Sequence, residues 1–151
     1  MSIYFNNLMG GSLAFSDLSG ISANCLCVAH SDLSSANLKN AHLIRAYFYG
    51  SNLSDTNLER ANLDEAAMQM VNLKGANLRE ASLREANLTE ADLTRANLTR
   101  ADLTEANLTG ANLTGVNVAG VNLKGTNLKD VRMDERVAEQ IRDFKAKQTR
   151  S

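Results

Sequence analysis

The chain contains no proline and no tryptophan, and aromatic residues fill only 5% of its 151 positions. Average usage would place roughly seven prolines in this length, and their absence is consistent with, though not specific to, a backbone whose donors are wanted by neighbouring segments. Two cysteines, Cys25 and Cys27, are too few for a disulfide scaffold, and a reducing cytoplasm is the expected setting. No stretch approaches the roughly 18 consecutive apolar residues of a membrane span, and residues 1–20 lack the basic start and apolar run of a secretion signal. A cytoplasmic chain without a membrane partner is expected. The formal net charge of −1 supplies neither the basic surface of a nucleic-acid binder nor an extended acidic one.

Leucine and asparagine stand in excess, with 21 and 17 copies. Their placement is periodic. Stepping by five from Ile3 reaches Leu8, Leu13, Leu18, Ala23, Val28, Leu33 and onward to Met133; all 27 positions are apolar and 20 are leucine. Two residues earlier sits a small or apolar residue, unbroken alanine from Ala76 to Ala111. Between the two lies Asn or Asp in 18 of 26 repeats, as at Asn37, Asn57, Asp92 and Asn107.

A period of five excludes both ordinary readings. On an α-helix each step of five turns the leucine through 140°, so no apolar face forms. On a flat strand an odd spacing sends alternate leucines to opposite faces. The chain must therefore turn between successive leucines, with Ala and Leu pointing inward from a short extended segment and the residue between them pointing out. Eight of the nine glycines, from Gly10 to Gly125, lie two residues after the inward position, which marks the corner. Ile21 and Ala23 exchange the usual sizes of their two inward positions and conserve volume.

Units such as Ala86-Asn87-Leu88-Thr89-Glu90 and Ala101-Asp102-Leu103-Thr104-Glu105 match the motif A(D/N)LXX, and the chain resembles the pentapeptide-repeat family over about residues 1–133. The resemblance implies an all-β, right-handed quadrilateral parallel β-helix with four pentapeptides per coil. At 20 residues per coil that is a solenoid of roughly 6.5 coils and roughly 30 Å. Departures from the motif cluster in the first 50 residues and at Ala66-Ala67-Met68-Gln69-Met70. Charge supports the coil length independently. At a spacing of 20, Lys39, Glu59 and Arg79 alternate in sign, as do Arg60, Glu80 and Arg100, whereas Glu65, Glu85 and Glu105 form a like-charged column.

Beyond Met133 the pattern becomes helical. Asp134 is placed to cap, and Met133, Val137, Ile141 and Phe144 form an apolar stripe. The division expected is a β-helix over 1–133, an amphipathic helix over 134–147 and a flexible tail over 148–151. The helix either caps the last coil or, as the resemblance implies for related proteins, forms a homodimer. At the other end Tyr4 and Phe5 either cover the first coil or meet a partner there, a second route to a homodimer.

Little in the chain points to chemistry. Cys25, Cys27 and His30 form a C-x-C-x-x-H cluster with His42 one coil on, but the register spreads them along an outer wall and its corners, so a tetrahedral metal site is not expected. The two histidines lie on different sides, and no nucleophile set or phosphate loop accompanies them, so no catalytic residue, metal or cofactor is assigned. Glu80, Glu85 and Glu90 are read as solvated acids with basic neighbours. Thr89 to Thr114 fill one slot in six successive repeats but fall on four sides, which reads as solvated β-formers rather than a flat array. The family also includes quinolone-resistance factors that imitate DNA, an alternative that would make gyrase the partner. Here 16 basic residues are interleaved among 17 acidic ones, against such a field.

One wall differs. Tyr47 and Tyr49 flank the inward Phe48 and should both point outward, beside Met9, Cys27, Ala29, Ala67 and Gln69 and almost without charge. Exposed aromatics among small apolar residues have the character of an interface core. The expected function is non-enzymatic binding of a protein partner through Tyr47, Tyr49, Met9 and Gln69, with His42 and Arg45 as polar contacts.

Overall fold

A computed structural model describes residues 8–148. The expected first repeat at Ile3, the cover by Tyr4 and Phe5, and the tail residues 149–151 lie outside the described residues. Every parallel bridge joins residues 20 apart, from Ser12 with Asp32 to Asn112 with Arg132, so four pentapeptides make one coil. The coil has four walls. Wall A carries Val28, Phe48 and Met68 inward, wall B Leu33 and Leu53, wall C Leu38 and Leu58, and wall D Leu43 and Leu63. All nine of these are buried.

With the five positions of a repeat numbered from the alanine, each N–H can be accounted for. Slots 3 and 5 donate to the next coil, as Leu33 to the Asn52 carbonyl at 2.7 Å and Ser35 to that of Ser54 at 2.9 Å. Slot 2 donates to the coil before, as Asn52 to Ser31 at 2.9 Å. Slot 1 closes the corner, as Ala36 to the Leu33 carbonyl at 3.1 Å. That corner is a β-turn whose third residue, slot 5, is left-handed, with φ between 55° and 72° at every glycine and non-glycine alike. Non-glycine residues occupy 17 of these corners, and the hydrogen bonds on either side hold them there against a cost of about 1–2 kcal/mol each.

The backbone leaves the fifth N–H, that of slot 4, without a carbonyl. The slot-2 side chain takes it: Asn57 Oδ1 accepts from Glu59 at 3.2 Å and Asp32 Oδ1 from Ser34 at 3.0 Å. The freed amide nitrogen then donates to the coil before, as Asn57 Nδ2 to Asn37 Oδ1 and Asn72 Nδ2 to Asn52 Oδ1. This double duty explains the asparagine excess, since only a side chain with both an acceptor and a donor can do it. It also corrects the reading of the threonines. Thr89 and Thr99 donate their hydroxyls to Asn87 and Asn97 Oδ1 at 2.6 Å, so they reinforce this outer sleeve of hydrogen bonds.

Buried hydroxyls in slot 1 follow the same logic: Ser31, Ser51 and Thr56 donate to the Leu8, Val28 and Leu33 carbonyls. Ile21 and Ala23 are both buried, in keeping with their exchange of size. Both alternating charge columns form, Lys39–Glu59–Arg79 at 3.1 and 4.0 Å and Arg60–Glu80–Arg100 at 2.8 and 3.7 Å.

Helix α1 runs Glu135–Gln148. Its stripe lies on the last coil, with Val137 and Ile141 buried and Met133 and Phe144 partly so. Asp134 Oδ1 caps it by accepting from Val137 N–H at 3.0 Å. No described helix is long and apolar enough to cross a membrane.

Candidate functional site

Among the described residues the outer sleeve fails over a contiguous run on one wall. On wall D, where His42 and Ser82 stand in slot 2, the coil before repairs the loss: Asn24 Oδ1 accepts from Ile44 N–H at 3.0 Å and Asp64 Oδ1 from Arg84 N–H at 3.1 Å. On wall A the slot-2 residues of three successive coils are Cys27, Tyr47 and Ala67, and nothing repairs it. Among the described residues, the N–H groups of Ala29, Tyr49 and Gln69 therefore have no acceptor. The two other slot-4 donors left open are those of Asn24, on the adjoining wall D, and Asp134 at the far end. Gln69 adds a buried Oε1 that receives no hydrogen bond. Where such a group is buried, as at Ala29 and at Gln69 Oε1, leaving it unmet costs about 1–3 kcal/mol.

The aromatic residues sit on this gap. Tyr47 bridges Cys27 below and Ala67 above, and half of its surface is exposed (50%). Tyr49 does not stand out from the wall as expected. It is half-buried, its ring meets His30 edge-on with centroids 5.3 Å apart, and its hydroxyl donates to Met70 Sδ at 3.3 Å. Gly50 makes this possible, because a Cβ there would lie 2.9 Å from His30 Nδ1. Met9 and Met70 are exposed at 55% and 53%, and Gln69 is half-buried.

Of the polar contacts assigned from sequence, Arg45 lies at the corner leading into wall A. There it forms a two-point pair with Glu65, Nε to Oε2 at 2.7 Å and Nη2 to Oε1 at 3.2 Å. This pair raises the arginine's pKa and lowers that of Glu65. His42 is exposed on wall D, across that corner from Tyr47. His30 and Met70 were absent from the assignment, yet both pack on Tyr49. Their signal was available, since each stands 20 residues from Gly50 and so in the corner column beside it.

The acids also differ from their reading. Glu80 has three arginine partners, Arg60, Arg79 and Arg100, whereas Glu85, Glu90 and Glu105 form no ion pair among the described residues. Cys25 and Cys27 are free thiols, exposed and half-buried.

The pentapeptide-repeats family matches in eight copies, over residues 31–69, 71–104 and 91–130. The chain belongs to the pentapeptide-repeat family. Members of this family are right-handed quadrilateral β-helices. Among solved pentapeptide-repeat structures, alr5209 from Nostoc PCC 7120 is 29% identical, with a TM-score of 0.51, covering 55% of this chain and 84% of its own. QnrB1, a plasmid-mediated fluoroquinolone resistance protein, shares 17% identity in trypsin-treated form with a TM-score of 0.58, over 93% of this chain and 95% of its own. HetL, involved in heterocyst differentiation regulation in the cyanobacterium Nostoc sp. PCC 7120, is 28% identical over 83% of this chain and 84% of its own, with a TM-score of 0.38. No curated protein matches.

Proposed function

We propose that this pentapeptide-repeat protein is a non-enzymatic, cytoplasmic interaction or regulatory scaffold, a rod of about 6.5 coils that binds a protein partner through wall A of its N-terminal half. One coincidence carries the reading. The outer hydrogen bonds fail on the coils where Tyr47 and Met70 expose apolar surface, with Met9 exposed on the coil just before. A partner that covers the tyrosines and brings acceptors to Tyr49 and Gln69 removes both liabilities at once. Arg45 and His42 lie at the rim, where polar contacts set register more than affinity.

Catalysis is disfavoured by the same geometry. The ionisable groups with displaced titrations are carboxylates stabilised in their charged form, such as Glu65 and Glu80, and arginines such as their partners Arg45 and Arg60. A general acid needs displacement in the other direction. The DNA-mimic alternative loses ground as well, because Arg45 neutralises Glu65 and leaves only Glu85 and Glu105 in that acidic column. Gyrase supercoiling should be unaffected by added protein.

The test is affinity capture with wild type against Tyr47→Ala/Tyr49→Ala, after equal circular dichroism. A partner held by wild type and lost by the variant is expected. A partner retained by both would remove wall A as the site.

A further inference from the structure

Wall A is polar in one direction along the rod. Its N-terminal half carries hydrogen-bond donors without acceptors, the N–H groups of Tyr49 and Gln69, with the exposed His30 at its corner. Its C-terminal half is flanked by acceptors without donors, the exposed carboxylates of Glu85, Glu90 and Glu105. A surface with donors at one end and acceptors at the other is complementary to itself when turned end for end, which is the condition for a two-fold interface. The spacing fits too. Donors and carboxylates both repeat once per coil, about 4.8 Å, and a second copy of the same solenoid offers a matching repeat. An extended peptide running along the rod offers same-side carbonyls about 6.6–6.8 Å apart and falls out of step.

From this we infer that the partner of wall A is a second copy of this chain, packed side by side and antiparallel. The inference rests on wall A being an interface and names its occupant. A two-fold axis normal to the wall near Ala67 lays the coil of Tyr47 over that of Asn87 and the coil of Cys27 over that of Asn107. Because the rotation exchanges sides as well as ends, the corner bearing Glu105 meets the corner bearing His30. The tyrosines of each copy are then covered by the Asn and Thr surface of the other. The Glu85 and Glu105 carboxylates of each copy thus reach the Tyr49 N–H and His30 corners of the other at both ends of a continuous interface, with Gln69 beside the axis between them. Ala29 is buried and takes no part.

Sedimentation velocity over a range of protein concentrations decides the matter, using the full chain, Tyr47→Asp, and Glu85→Lys/Glu105→Lys. The two exposed glutamates make no ion pair among the described residues, so their replacement removes no contact of the monomer fold, and equal circular dichroism keeps the test valid even if the tyrosine variant unfolds. The expected result is a concentration-dependent dimer that each variant weakens by about tenfold or more. A wild type that stays monomeric, or a dimer that survives both variants, overturns the inference. A monomer that still captures a different protein through Tyr47 and Tyr49 would overturn the second copy and keep wall A. A monomer whose captured partners ignore both tyrosines would overturn the two together.

Discussion

Asp134 Oδ2 accepts a hydrogen bond from the Gly115 N–H at 2.6 Å, where the register of every earlier coil would have supplied a backbone carbonyl. The companion exchange is made by Arg136, whose Nη2 donates to the Val116 carbonyl at 3.2 Å in place of the N–H of Val137. Val137 has turned instead to cap α1 on Asp134. Two side chains thus stand in for two backbone groups at the point where the solenoid becomes a helix.

Asp134→Ala should release both bonds and loosen α1 from the last coil. A fall in Tm of about 2–6 °C is expected by calorimetry. An unchanged Tm would mean that Val137 and Ile141 hold the helix without the cap.

Stability along the rod should follow burial. Leu78 is buried at mid-rod, whereas Leu18 is only partly buried near the N-terminal end. Leu78→Ala should cost about 3 kcal/mol in denaturant unfolding and Leu18→Ala less than half as much. Equal costs would argue against a core that weakens toward that end.

Gly75 and Gly20 share a left-handed corner, with φ of 66° and 63°, but not the same surroundings. A Cβ at Gly20 meets nothing within 4 Å, while one at Gly75 overlaps Asp55 Oδ1. Gly20→Ala should cost about 1 kcal/mol, from backbone preference alone. Gly75→Ala should cost about the same, because the exposed Asp55 carboxylate can swing aside, and adding Asp55→Ala should change it little. A Gly75 variant that cost clearly more, and was rescued by Asp55→Ala, would show that the carboxylate is held in place.

Acid should unfold the protein through a defined set of carboxylates. Ser19 hydrogen bonds hold Asp17 below its ordinary pKa, the Ser34 N–H does so for Asp32, Arg45 for Glu65, Arg60 for Glu80, and the Val137 and Gly115 N–H groups for Asp134. Each folded value lies below the unfolded one, so between the two the unfolded chain binds more protons. Their stabilisation is complete above the unfolded carboxylate pKa of about 4 and is lost as pH falls through the lowered values. Tm should therefore hold from pH 7 to about 5 and drop steeply below about 4. A Tm that declined between pH 7 and 5 would contradict this assignment.

The coil register was legible because Leu, Ala, the corner glycines and the alternating columns of Lys39, Glu59 and Arg79 all repeat on one frame. Asp134 and the stripe from Met133 to Phe144 marked the helix for the same reason, a change of period. What could not be read was the fate of the slot-4 N–H. Asn and Asp in slot 2 look like surface polarity until the backbone bonds are counted and one donor per repeat is found without a carbonyl. The gap at Cys27, Tyr47 and Ala67 therefore reads in the sequence only as a nearly uncharged wall around two tyrosines. Tyr49 was misjudged because its direction depends on His30 and Met70, residues one coil away on either side of Gly50.

The central claim is that wall A lacks its outer hydrogen bonds because a partner supplies them, and Ala67→Asn tests it most directly. An asparagine there brings Oδ1 to the open Gln69 N–H, as Asn87 does for Thr89 at 3.1 Å on the coil above. The isolated variant should gain about 1 kcal/mol, seen as a Tm higher by about 2–4 °C, while losing association through wall A. A variant that is no more stable, or that associates as wild type does, would contradict the account.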